Sequence, residues 1–122
     1  MSNAAQAYSR VSQTTASPRE IEAQALLKAA NKLQAVLNDW DKVRNDEIAE
    51  AVLFNRKLWS IFLSAATDDS NQQGVGVRQN VANIGVFVMT QTYELQLNPR
   101  AELLPPLIEI NRNLAAGLCG RA

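Results

Sequence analysis

The sequence predicts an all-α protein, a single small domain built as a bundle of four to five helices. Three observations carry that prediction. Apolar residues recur at three- and four-residue steps along each long segment. Only one stretch, "VRQNVANIGVFVM", reads as a strand, and no second strand exists to pair with it. The length of 122 residues suits one hydrophobic core.

Residues 1–16 are mostly Ala, Ser, Gln and Thr. Ala4, Tyr8 and Val11 fall at helical spacing, so this segment reads either as an arm or as a short helix docked on the body. The bundle domain spans 17–118 and a tail follows at 119–122. Ser17, Pro18 and Glu20 form a capping-box signature at the start of a helix from 18 to about 38. Ala23, Leu26, Ala30, Leu33 and Leu37 give its core stripe, with Leu27 and Val36 widening it. "NDWDKVRND" breaks the pattern, and Trp40 within it folds back onto the core.

A second helix covers about 47–66, opened by acidic residues that suit a helix start. Ile48, Val52, Trp59 and Phe62 form one apolar row. Ala51, Phe54, Leu58, Ile61 and Ala65 form another, with Leu53 and Leu63 at the edges. Two adjacent rows predict a central helix, interrupted only at Glu50, Asn55, Arg56, Lys57, Ser60 and Ser64. A loop follows.

The ambiguous stretch resolves by its continuation. As a strand it would show Ala82, Ile84, Val86 and Val88 on one face. The helical rows run further: Val77, Val81, Ile84, Val88, Thr92 and Leu95, then Val86, Met89, Tyr93 and Leu97. That length exceeds an ordinary strand. A helix from about 76 to 97 follows, and Gly85 inside it, costing about 1 kcal/mol against Ala, implies a close helix crossing. Asn98 can cap a turn beginning at Pro99. Leu104, before a proline, is biased away from helix. A last helix runs from about 105 to 116 with Leu107, Ile110, Leu114 and Leu118 inward, and Gly117 reads as its stop.

Chemistry is sparse. Twelve basic and twelve acidic residues cancel, which removes the electrostatic attraction of most nucleic-acid binders. The absence of histidine excludes a histidine base, a Ser-His-Asp triad and histidine-ligated metal. A lone Cys119 allows no intrachain disulfide, which suits a reducing compartment, and it reads as a tail residue. No apolar run reaches the roughly 18–20 residues of a membrane span. The N-terminus lacks the apolar centre of a secretory signal. A cytoplasmic protein without cofactor or metal is expected. Asp68 and Asp69 are solvated neighbours, not a converging metal cage. Gly74 and Gly76 lack the spacing and the Lys-Ser/Thr of a phosphate loop.

The amides are the exception. Asn55, Asn80, Asn83 and Asn111 all lie inside predicted helices, where Asn is a mediocre former. Arg56, Arg78 and Arg112 sit beside them. They either join helices by side-chain hydrogen bonds or contact a partner. Neither role places a nucleophile beside a base, so no enzyme is expected.

Together, "SPREIEAQALLKAANKLQ", "EAVLFNRKLWSIFLSA", "VRQNVANIGVFVMTQTYEL" and "LIEINRNLAAGL" resemble, in order, the segments of the FlaF family of flagellar biosynthesis proteins. The opening "AYSRVSQTTASPRE" is similar to the family's start. The family pattern matches at Asn55, Arg56, Trp59, Arg78, Asn80, Asn83, Gly85, Asn111 and Arg112. The loop 67–76 and the Cys119 tail depart from it. The resemblance implies a non-catalytic factor that promotes flagellin synthesis or export, working beside or against the regulator FlbT.

On that resemblance the first reading is a flagellin chaperone. An apolar groove would hold an amphipathic helix of the client and prevent early polymerisation. Its expected walls are Phe54, Leu58, Ile61 and Phe62 from the second helix, and Val86, Met89 and Tyr93 from the third. A second reading is a post-transcriptional regulator acting through FlbT or flagellin mRNA; the balanced charge and lack of a basic–aromatic platform disfavour direct RNA contact. A third is a homodimer burying the spare apolar row.

Overall fold

A computed structural model describes residues 17–68 and 74–120 of the chain. The arm-or-helix reading of 1–16, the centre of the 67–76 loop with Asp69, and the last two tail residues lie outside them. The described residues form four α-helices and one 3-10 turn, with no strand among them.

Helix α1 is Pro18–Asn38. Ser17 Oγ accepts the Glu20 N–H at 3.2 Å, and Pro18 occupies the first turn, where its missing donor costs nothing. Ala23, Leu26, Ala29, Ala30, Leu33 and Val36 are buried along one face. Leu27 does not widen that stripe: it is 40 % exposed. It follows Leu26 by one position, about 100° around the helix, and so turns out of the face that Leu26 buries. Trp40, in the connection, packs against the core as predicted, and Val43 beside it does the same.

Helix α2 is Asn45–Ala66. Glu47 Oε1 accepts the Arg44 N–H at 3.4 Å, and Asp46 and Glu47 place negative charge in the first turn. At the other end Thr67 Oγ1 donates to the Leu63 and Ser64 carbonyls at 3.0 and 3.1 Å, satisfying acceptors the helix leaves open. Helix α3 is Val75–Leu97, so the stretch around Gly85 is helical. Val88, Thr92 and Leu95 bury one side of it, and Thr92 Oγ1 donates to the Val88 carbonyl at 2.6 Å.

Three predicted boundaries move. Asn98 ends α3 with its N–H on the Glu94 carbonyl, and the 3-10 turn is Ala101–Leu103, set off from Pro99 by extended Arg100. Leu104 opens α4, Leu104–Leu118, in helical conformation. Burying Leu104 completely stabilises by about 1.5–3 kcal/mol, enough to override the pre-proline bias. Pro105 and Pro106 fall in the first turn, where no donor is required. Gly117 is not the stop. The helix passes through it, and Gly120, at φ 73°, takes the left-handed position with its N–H on the Gly117 carbonyl.

The order across the bundle is α4, α1, α2, α3. Helix α1 packs most closely on α4 and next on α2, and α2 carries α3 on its other side. Helices α1 and α2 thus share the middle of the bundle, and the second apolar row predicted for α2 is only partly covered, with Ile61 and Ala65 exposed. Helix α3 is an edge element whose chief neighbour is α2. Gly85 marks their crossing: a Cβ there would lie 2.8 Å from Leu63 Cγ and nearer still to Leu63 Cδ2.

Candidate functional site

The buried centre is polar at one point. Trp59 of α2 donates its indole N–H to Asn111 Oδ1 of α4 at 2.9 Å. Asn111 Nδ2 then donates to Asn55 Oδ1 at 2.7 Å. All three side chains are buried. Indole can only donate, so it fixes which way Asn111 turns, and Asn111 fixes Asn55. Asn55 was expected to interrupt the apolar face of α2. Instead it lies on the buried row between Val52 and Trp59, because Asn111 gives its carbonyl a partner. Asn55 Nδ2 has no hydrogen-bond partner among the described residues. For Asn55 and Asn111 the geometry matches the helix-joining role.

The other polar family positions lie outside this buried network. Asn80, Asn83 and Arg112 are exposed. Asn83 Oδ1 accepts from Gln79 Nε2 at 3.3 Å, within α3. Arg78 Nη1 donates to the Asp68 carbonyl at 3.1 Å, tying the start of α3 to the end of α2. Arg56 donates to Gln96 Oε1 at 3.2 Å and lies 4.9 Å from the Tyr93 ring centroid.

The seven residues predicted as one groove do not share one wall. Phe54 lies under Lys28 and Lys32 of α1, at 5.5 and 5.2 Å from its ring centroid. Arg56, two positions on and therefore about 200° around the helix, meets Tyr93 of α3. Phe54 thus faces α1 while Tyr93 lies on the α3 side. Ile61 is 65 % exposed, and Leu58 is half-buried against the core. Phe62 packs edge-on to Trp59, with ring centroids 5.5 Å apart. On α3, Met89 is half-buried against the core, but Val86 and Tyr93 are 63 % and 46 % exposed.

Two apolar surfaces result. The first is the outer side of α3, where Val86, Tyr93 and Leu97 follow one another at helical spacing, Leu97 being 85 % exposed. Among the described residues no second helix covers this row. The second is a cavity of about 580 Å³ where the ends of all four helices meet. Phe62, Val77, Val81, Leu114 and Leu118 supply apolar lining, with Glu22 of α1 beside them. Burial pushes the Glu22 carboxyl above its ordinary range, and nearby Arg19 offsets part of the rise. The sequence reading missed this cavity. Its one signal was Gly74, a small residue where α3 enters opposite the C-terminus of α4.

No helix among the described residues is long and apolar enough to cross a membrane. The family model described as flagellar protein FlaF matches residues 4–118. No curated protein and no solved structure matches the chain.

Proposed function

Because the chain belongs to the FlaF family of flagellar proteins, we propose that it is a non-catalytic assembly factor that binds flagellin in the cytoplasm and promotes its synthesis or export. The observation that supports this reading is the uncovered row Val86, Tyr93 and Leu97 on α3. An amphipathic client helix reads such a row with its own apolar residues at i, i+3, i+4 and i+7. Tyr93 suits a contact of this kind, with a broad apolar ring and a hydroxyl that tolerates water. Arg56 beneath it restrains the ring, so less freedom is lost on binding. The buried amide bridge stiffens the bundle behind this face and is not itself a contact.

An affinity near micromolar, about −8 kcal/mol, lets the client be held and then released. The test is to mix purified protein with purified flagellin and follow elution on a sizing column. A defined complex that weakens on Tyr93→Glu, while the variant keeps its helical circular dichroism, supports the proposal. Absence of a complex with flagellin, together with capture of FlbT, replaces it with the regulatory reading.

A further inference from the structure

A cation stands in the seam beside the apolar row of α3. Leu63 of α2 meets α3 at Gly85, and Arg56, seven positions earlier, meets it at Tyr93 and Gln96. Seven residues bring a helix back to nearly the same side, so both contacts lie along one antiparallel seam. Arg56 is half-buried there. Its Nη1 donates to Gln96 Oε1, a neutral acceptor, at 3.2 Å. Among the described residues the ion pairs use Lys32, Arg44 and Arg100, and none uses Arg56. Glu94, next to Tyr93, pairs with Arg100 instead, at 3.6 Å. Lys57 beside Arg56 is exposed and has no carboxylate partner among the described residues either.

The guanidinium keeps most of its N–H groups for a further acceptor. Its planar edge fits a carboxylate through two parallel hydrogen bonds. The surface around it is apolar. Tyr93 and Leu97 on α3 are exposed, and so is Leu53, three positions before Arg56 on α2. A helix laid on these side chains excludes water, which strengthens attraction between opposite charges. Uncompensated positive charge framed by apolar side chains matches a helix whose apolar residues have an acidic one a turn away.

On the flagellin reading, on which this rests, we infer that Arg56 selects the client by charge. The helix seated on Val86, Tyr93 and Leu97 carries a carboxylate one turn from its apolar anchors, and Arg56 pairs with it. Tyr93 holds the guanidinium at the edge of the row before the client arrives.

Purified flagellin titrated against the full chain, Arg56→Gln and Arg56→Lys tests this, at about 50 and about 300 mM salt to vary the screening of charge. Circular dichroism checks that each variant stays helical. At low salt Arg56→Gln should bind about tenfold more weakly than the wild-type chain and lose most of its salt dependence. Arg56→Lys keeps the charge without the planar fork, so it should keep the salt dependence. If Arg56→Gln binds as tightly as the wild-type chain, or weakens with salt just as steeply, the inference is overturned and the flagellin reading stands. If flagellin does not bind the wild-type chain at all, both fall. A wild-type chain that sediments alone as a dimer, and as a monomer in Arg56→Gln, assigns the carboxylate to a second copy and also overturns the inference.

Discussion

Trp59 Nε1 on α2 and Asn111 Oδ1 on α4 lie 2.9 Å apart in fully buried interior, and their bond sets the orientation of a second amide, Asn55. Asn111→Leu keeps a similar volume but strands the Trp59 N–H and the Asn55 carbonyl. Each stranded group costs about 1–3 kcal/mol, so a loss near 3 kcal/mol is expected in urea unfolding. Replacing the whole trio by Trp59→Phe, Asn111→Leu and Asn55→Leu should recover most of it, because no polar group is then left unpaired. A triple variant as unstable as the single one would show that packing, not pairing, sets the cost.

Gly85 and Leu63 make a second testable pair. In an open helix Gly85→Ala stabilises by roughly 0.5–1 kcal/mol. Here the new methyl would overlap the Leu63 side chain, and overpacking of this kind costs about 1–3 kcal/mol. A net loss is expected for the single variant. In a Leu63→Ala background the same change at Gly85 should become stabilising. That reversal of sign, read from thermal midpoints of the four proteins, is the check.

The difference between what the sequence foretold and what it did not follows from these two sites. Gly85 was legible because a glycine inside a long apolar period needs a reason, and a close crossing supplies one. Asn55 was misread although it lies at the right step between Val52 and Trp59. One-dimensional periodicity counts an amide as polar, and only its partner 56 residues away makes it a core residue. The same limit applies to the groove. Periodicity finds apolar rows on a helix but not which neighbour covers each row, so Phe54 and Tyr93 were joined although α2 separates them.

Gly117 and Gly120 should respond to alanine with opposite signs. Gly117 is helical, and nothing stands within 4 Å of a Cβ there. Gly117→Ala is expected to stabilise by about 0.5–1 kcal/mol. Gly120 holds φ at 73°, where a Cβ is opposed by the backbone, so Gly120→Ala should destabilise by about 1 kcal/mol. Calorimetry of the two single variants decides which glycine ends the helix.

Glu22 gives the molecule a local pH dependence. Its carboxyl is raised by burial at the cavity, with Arg19 opposing. A raised carboxyl means the folded state binds the proton more readily than the unfolded chain does. The resulting penalty is fully present above the folded pKa and absent below the unfolded one, about 4.3 for an ordinary glutamate. Glu22→Gln should therefore stabilise at neutral pH, by no more than a few tenths of a kcal/mol given solvent screening. The advantage should shrink to nothing as pH falls through the carboxylate range. An advantage that is constant with pH would assign it to packing instead of charge.

The separation of Phe54 from Tyr93 makes the client surface resolvable by mutation. Val86, Tyr93 and Ile61 are all exposed, so a glutamate at any of them leaves the core intact. Met89 is a poor probe because it packs against that core. If the outer row of α3 holds flagellin, Val86→Glu and Tyr93→Glu should each weaken capture at least tenfold, about 1.4 kcal/mol. Ile61→Glu, on the α1 side of α2, should leave capture unchanged. Titration of labelled flagellin against the three variants reads this directly, with thermal midpoints confirming that each remains folded. The opposite pattern would move the client to the face shared by α1 and α2. There it would have to displace Lys28 and Lys32 from the Phe54 ring, and binding would fall when those lysines are kept and Phe54 is removed. A uniform lack of effect would leave the exposed row of α3 without a role in flagellin binding.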